Sequence, residues 1–417
     1  MMNSNWRRGF LRLIASVLLA SSVSTGNAGA ASSTATILLD GYPLPFPAAP
    51  QIVNGHTLVP FRAIAEALQI QVEWDGATQT IRATKGNGKR HKEVYLQLDN
   101  PVAMVDGQPV PLPLSPREEN GHTLVPLSFF SRQFGAQVSW DGKTRTVSIA
   151  SPQEDLYTMA FYAISSFGER DFIPRFDAVA FGWSRIDAHG ELTLEGRDFY
   201  WPQPAGEITP ERIVQDAQAA GTAPYLMVFA ADGGGELSRL LADEALRKKA
   251  VANIAALAQE KQFAGVALDF EGLGLNGDLF QVQQQYTRFV RELAEILRAQ
   301  RQSVSVVVHP LNGAYRGYDY KELGEAADDV VVMAYAYEDE QQPEPLVKVD
   351  EAIRLALQQV PKEKLILGIS MGSEHAQSVN SKVGLAKRYG LKGVAIWRLG
   401  LIGEPAFHQL TQSITWK

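Results

Sequence analysis

The chain has no cysteine among its 417 residues. That excludes disulfide staples, zinc–thiolate sites and a cysteine nucleophile. Export does not require disulfides, so the compartment stays open on this ground. Histidine is scarce too: seven residues, scattered, with no two at ligand spacing on one predicted element. A metal-dependent hydrolase or deacetylase therefore lacks a donor set. Basic residues are the minority, 39 Lys and Arg against 46 Asp and Glu, which argues against a nucleic-acid partner. The glycine run Gly233–Gly235 has no Lys-Ser or Lys-Thr behind it and lacks dinucleotide spacing, so a phosphate loop is excluded.

Long apolar runs are missing at the N-terminus as well. Arg7 and Arg8 precede an eight-residue run, Leu13 to Ala20, followed by small and polar residues up to Ala28-Gly29-Ala30. A membrane span needs about 20 residues. Residues 1–30 are read as a signal peptide cut before Ala31, with a short membrane anchor as the alternative. Arg7-Arg8-Gly9-Phe10-Leu11-Arg12 resembles a twin-arginine export signal, with Trp6 where Ser or Thr is usual. The expectation is a secreted bacterial protein, extracellular or wall-associated, with no stable membrane insertion after cleavage. Removal of residues 1–30 takes three arginines and no acid. It leaves 36 basic against 46 acidic residues, net −10, so binding to an anionic wall polymer must rest on local contacts.

What is present begins with a duplication. Asn54-Gly-His-Thr-Leu-Val-Pro60 returns as Asn120-Gly-His-Thr-Leu-Val-Pro126, and Trp74-Asp75-Gly76 as Trp140-Asp141-Gly142, at a constant offset of 66. Such a register over some thirty residues marks an internal repeat. Each copy reads as an Asn-Gly turn, a strand ended by proline, a helix (61–68 and 127–134), a strand (71–74 and 137–140), an Asp-Gly turn and a last strand (80–83 and 146–149). A hairpin-like piece precedes each copy, at 37–41 and 102–107. Residues 36–150 resemble the stalk-type domain named after the N-terminal domain of copper amine oxidases, found on exported bacterial proteins as a spacer or wall-facing module. The resemblance does not imply copper. His56 and His122 occupy equivalent turns, which repetition alone explains. Trp74 and Trp140 either stack on sugar rings or, as such residues more often do, pack the module's own core. Residues 151–155, Ser-Pro-Gln-Glu-Asp, read as a linker.

From 156 to 417, short apolar runs alternate with helical patterns over a length suited to an α/β fold, a (β/α)8 barrel. Eight strands are expected: 157–163, 178–182, 225–230, 265–270, 303–308, 329–335, 365–369 and 393–397. Helices are expected at 211–220, 236–262, 279–301, 349–359 and 378–389. A small hairpin around His189-Gly190 is expected after the second strand. In such barrels the site lies at the C-terminal strand ends.

There the fourth strand, Gly265-Val-Ala-Leu-Asp-Phe-Glu271, places two carboxylates. Alternation puts Asp269 and Glu271 on one face, Leu268 and Phe270 on the other. Neighbouring carboxylates raise one another's pKa, a route to an acid still protonated near neutrality; a solvated strand end is the alternative. The stretch resembles the active-site strand of family 18 glycoside hydrolases, whose pattern is Asp-Gly-x-Asp-x-Asp-x-Glu. The last Asp and the Glu are present, while Ala264 and Ala267 stand at the first two acidic positions. Phe161-Tyr162, Phe176 to Trp183, Asp232-Gly233-Gly234, Val332-Met333-Ala334-Tyr335 and Gly393 to Trp397 resemble further family stretches in the same order.

The resemblance implies substrate-assisted retaining hydrolysis of N-acetylglucosamine-containing glycan, with no metal or organic cofactor; the stalk module suits peptidoglycan better than chitin. Glu271 would be the general acid. Asp269 would hold the 2-acetamido group, and Tyr335 would donate to its carbonyl. Trp397 would floor the sugar subsite, with Tyr162, Trp183 and Met333 as further substrate-binding residues. For Tyr162 and Trp183, barrel packing is the alternative. Ala267 and Ala336 depart from family acids that support the pair. Glu338, Asp339 and Glu340 lie just beyond and would either compensate or form a solvated loop. A catalytically weak or inactive glycan-binding wall protein on the same barrel is the second reading.

Overall fold

Turn chemistry sets the stalk. Asn54 and Asn120 take φ of 50° and 51°, and Gly55 and Gly121 take 78° and 76°, the left-handed pair a tight hairpin needs. These turns join Gln51–Val53 to His56–Pro60 and Arg117–Glu119 to His122–Pro126. Pro60 and Pro126 end the strands and open helices Phe61–Ala67 and Leu127–Gln133, where a missing N–H costs nothing. The next hairpins, Gln71–Asp75 with Thr80–Lys85 and Gln137–Asp141 with Thr146–Ala150, turn on Asp75 and Asp141. Their Oδ1 atoms accept from Ala77 N–H at 2.9 Å and Lys143 N–H at 2.8 Å. The structure, a computed structural model, describes residues 35–86, 91–338 and 340–417. The expected signal peptide and Asp339 fall outside these.

The two copies complete each other. Val59 pairs with Val125 across antiparallel strands. The piece before the first copy, Thr36–Leu39, pairs in parallel with the last strand of the second. The piece before the second, Val102–Val105, pairs instead with an intervening strand, Lys92–Gln97, which pairs in turn with the last strand of the first. One core results, with Val59, Ile64, Val125 and Phe130 fully buried. Trp74 and Trp140 are not part of it; they are 39% and 51% exposed.

The expected linker is a bound strap. Ser151 N–H donates to Asp40 Oδ1 at 2.8 Å, and Lys387 Nζ donates to the Pro152 carbonyl at 2.6 Å. Glu154 pairs with Lys85 at 2.8 Å, while its N–H reaches the Ser413 carbonyl at 3.1 Å.

Beyond it, eight parallel strands close a barrel: Tyr157–Tyr162, Ala178–Ile186, Ala223–Ala231, Gly265–Glu271, Ser303–Val308, Asp329–Val332, Leu365–Ser370 and Gly393–Trp397. The first pairs with both the second and the eighth. After the second strand, Arg185 pairs with Thr193 and Ile186 with Leu192, the hairpin expected there. Helices Pro210–Ala219, Leu279–Ala299, Leu346–Leu357 and Val379–Tyr389 cover the outside. The expected helix 236–262 is two, Glu236–Ala242 and Glu244–Glu260. Asp243 is extended between them, and its side chain caps the second by accepting from Ala245 and Leu246 N–H. Four helical elements among the described residues of the barrel escaped the sequence reading: the 3-10 stretches Ile164–Arg175 and Lys362–Lys364 and the helices Tyr320–Ala326 and Gly403–Leu410.

Alternation splits the barrel's apolar residues into two cores. Met159, Phe161, Ala180, Met227, Ala267 and Val307 fill the interior. Tyr162, Phe181, Trp183, Leu268 and Phe270 pack outward against the helices. Asp269 shares the inward parity of Ala267.

Candidate active site

The fourth strand is buried from Gly265 to Phe270 and half-buried at Glu271. Gly272 follows at φ 83°, a conformation that ends the strand. A Cβ there would lie 3.4 Å from Asp232 N. Neighbouring loops fix the strand end. Asp232 N–H donates to the Glu271 carbonyl at 3.1 Å, and Tyr318 Oη donates to the Phe270 carbonyl at 2.7 Å. Asp232 itself is tied to the following helix, accepting from Ser238 N–H and Oγ at 2.8 and 2.6 Å.

Asp269 and Glu271 both line one cavity of about 320 Å³, with Phe161, Met333, Tyr335 and Trp397. Asp269 is 3% exposed, and its Oδ1 has no hydrogen-bond partner among the described residues. Ala267 sits two residues below it, opposite Ser305 of the fifth strand. Ser305 Oγ is a second buried oxygen without a partner among the described residues. The Ala267 methyl can offer neither oxygen a hydrogen bond. Burial, then the Glu271 charge, pushes the Asp269 carboxyl well above the usual range. Burial, then Glu340, raises Glu271. The pair therefore retains protons at a pH where isolated carboxylates have lost theirs.

The sixth strand ends at Val332, earlier than the expected 335, because the chain leaves the ladder to line the cavity. Ala336 adopts φ 57°. Its N–H donates to Glu344 Oε1 at 2.9 Å, and Tyr337 N–H reaches Oε2 at 3.3 Å. Glu344 is buried, and its own N–H donates to Glu374 Oε1 at 2.9 Å. Glu374 pairs with Lys382 at 2.8 Å, with both side chains buried. This chain of contacts holds the loop carrying Tyr335. The Tyr335 hydroxyl is pushed well above its ordinary pKa by burial, then by Asp269, Glu271 and Glu340, so it stays a donor.

Trp397 ends the eighth strand, half-buried, with its ring 5.4 Å from Phe161 at 56°. Tyr162 and Trp183 do not join it, which corrects their placement as substrate-binding residues. Both are shut into the outer layer, edge to face with their rings 5.7 Å apart, and Trp183 is 0% exposed. The cause is parity: Phe161 is the inward neighbour of Tyr162, and Phe181 and Trp183 face outward on the second strand. His309, Tyr315, Tyr337 and Glu340 also line the cavity. Of these, the sequence reading noted only Glu340, as one of the acids beyond strand six. His309 follows the fifth strand directly, a position that could have marked it. His56 is exposed and His122 half-buried in the stalk turns. Among the described residues no three His, Asp or Glu side chains are grouped to hold a metal ion.

Residues 158–379, more than half of the chain, match the model of the glycosyl hydrolases family 18. The chain belongs to that family. Residues 38–149 match the copper amine oxidase N-terminal domain. The cortical fragment-lytic enzyme of Bacillus subtilis is 28% identical over 144 residues, 32% of either chain. That of Bacillus anthracis is 23% identical over 43% of this chain and 47% of its own. The chain thus spans about a third to a half of the length of these curated relatives. Among solved structures, the spore cortex-lytic enzyme SleL of Bacillus cereus aligns with TM-score 0.52 and 18% identity over 63% of this chain and 76% of that one. A chitinase of Chromobacterium violaceum aligns with TM-score 0.52 and 20% identity over 62% and 98%. Both likenesses establish the family 18 barrel fold. The family match stops before Trp397, whose place in the site rests on the cavity alone.

Proposed function

We propose that this chain is an exported glycosidase that cleaves N-acetylglucosamine-containing glycan, peptidoglycan in preference to chitin, by substrate-assisted retaining catalysis. One observation carries the reading. Glu271 sits half-buried at the cavity rim, with buried Asp269 two residues back on the same strand and facing the same space. The raised Glu271 carboxyl protonates the departing glycosidic oxygen. Asp269 holds the 2-acetamido group, with the Tyr335 hydroxyl on its carbonyl oxygen. That oxygen attacks the anomeric carbon as the glycosidic bond breaks, giving an oxazolinium. Glu271, now a carboxylate, takes a proton from the water that opens the ring, and so recovers its starting state. Trp397 and Met333 form the apolar wall beside the sugar. The stalk module holds the enzyme at the wall. Peptidoglycan is favoured by the relatives named for cortical fragment lysis.

Ala267 and the unpaired Asp269 Oδ1 favour a second reading, a glycan-binding protein without turnover. Mature protein and its Glu271→Gln variant, incubated with defined peptidoglycan and with N-acetylglucosamine oligomers, separate the two. New reducing ends are read by mass spectrometry. Cleavage by the parent, reduced about a hundredfold or more in the variant, supports the enzyme. Glycan binding by both without cleavage by either supports the second reading.

A further inference from the structure

His309 occupies a position that neither the fold nor the proposed chemistry explains. It follows the last residue of the fifth strand, and its backbone carbonyl accepts from Tyr320 Oη at 2.7 Å. Its ring is flanked by Tyr315 at 4.5 Å and Tyr318 at 5.9 Å. Nε2 is buried without a hydrogen-bond partner among the described residues. It lies 4.0 Å from Glu271 Oε2. A buried ring nitrogen left unpaired is uncommon, and this one faces the carboxyl that must exchange a proton. A movement of about 1 Å would complete a hydrogen bond.

We propose that His309 is a positioning residue for the general acid: its Nε2–H closes on Glu271 Oε2 once that carboxyl has given up its proton. The inference rests on the reading of Glu271 as the acid. Burial pushes the His309 pKa down to about 4, so near neutrality the ring is uncharged and carries one N–H. The groups around it are mostly acidic. Glu271 and Asp269 face the cavity from the fourth strand, and Glu340 from the loop after the sixth. Tyr315, Tyr335 and Tyr337 line the same space, and Tyr318 packs on the ring. Glu340 opposes a negative charge on Glu271, and among the described residues no Lys or Arg lines this cavity. A neutral donor is then the group that steadies the transient carboxylate without quenching the acid. Positions 267 and 336 are alanines in this chain and offer Glu271 no polar side chain; His309 stands beside it.

The test uses the mature protein and its variants His309→Phe and His309→Gln. Gln keeps a neutral N–H at similar reach; Phe keeps the packing between the tyrosines. Loss of the donor makes Glu271 harder to ionise. In the Phe variant the basic limb of kcat/KM should therefore move up by about one pH unit, a tenfold change in the ionisation constant. kcat should fall about tenfold while KM changes less than twofold, and Gln should restore most of both. An unmoved limb, or a Gln variant as impaired as Phe, overturns the proposal. Infrared difference titration of the Glu271 carboxyl band, assigned by its loss in Glu271→Gln, reads the same shift without turnover. If the parent proves inactive, the function reading fails while this titration still decides the role of His309: a band midpoint unchanged in His309→Phe rejects it.

Discussion

The stalk and the barrel mouth use the same side chain in opposite ways. In the stalk, Asp75 and Asp141 are exposed. Asp75 is held below the usual carboxylate range by the hydroxyl of Thr78 and by backbone N–H groups. Asp141 is held down by Lys143 N–H and the Thr144 hydroxyl. In the barrel, Asp269 is buried, with no partner for Oδ1 among the described residues, and held above that range. The stalk pair is duplicated because the turn it makes is duplicated. The barrel pair occurs once, where unpaired polar atoms collect around a cavity. A carboxylate whose acceptors are filled serves shape. One left unfilled at a cavity keeps an acceptor open to a ligand.

The sharpest way to break this contrast is Trp183→Ala. Trp183 belongs to the packing layer, so the change should cost about 3–5 kcal/mol of stability in denaturant titration and leave kcat/KM per folded molecule unaltered. A fall in that ratio would return Trp183 to the site. Asp269→Asn should lower kcat on N-acetylglucosamine oligomers by about a hundredfold, as loss of a preorganised electrostatic group does. The same variant should be more stable than the parent at pH 7. A folded pKa above the unfolded value gives stability that is present below the unfolded pKa, near 4, and lost as pH rises through the folded one. The advantage should therefore vanish toward pH 4. Trp397→Ala should lower kcat/KM about tenfold through lost ring contact, with an unchanged unfolding midpoint. Asp75→Asn and Asp141→Asn should have the smallest effect and the opposite sign. Their lowered pKa gives stability present above the unfolded value and lost at acid pH, so the variants should show a slightly lower urea midpoint at pH 7 that merges with the parent at low pH. Equal pH behaviour of Asp269→Asn and Asp75→Asn would erase the comparison.

The repeated part of the stalk was legible because Asn-Gly, Asp-Gly and proline act locally and the repeat gave each signal twice; the strand Lys92–Gln97, which stands between the copies, was not. The stalk tryptophans were less so: whether Trp74 packs or projects depends on sheets assembled across both copies. In the barrel, all eight strands followed from short apolar runs. Helix Tyr320–Ala326 did not, since seven residues begun by Asp319 carry little periodicity. Asp269 and Glu271 were legible because adjacent parity is intrinsic to a strand. Tyr162 and Trp183 were misplaced for the complementary reason: which parity faces inward depends on register with neighbours, and both parities of the first strand are apolar. His309 was passed over because a lone histidine between valines and a proline has no pattern. Its meaning arises only when the fifth strand is laid beside the fourth.

The strap and the helix Val379–Tyr389 have a mechanical consequence. Gly384 faces Asp40 so closely that a Cβ there would fall 2.2 Å from the Asp40 Cβ. Along the same helix, Arg388 donates to the Pro43 carbonyl at 3.2 Å, and its own carbonyl accepts from Gln69 at 2.9 Å. A flexible tether lets an enzyme sweep a volume set by its length. A stalk seated in this way gives up that sweep and conveys heading instead. Whatever grips the stalk also fixes the bearing of the cleft, so the molecule resembles a bracket more than a leash.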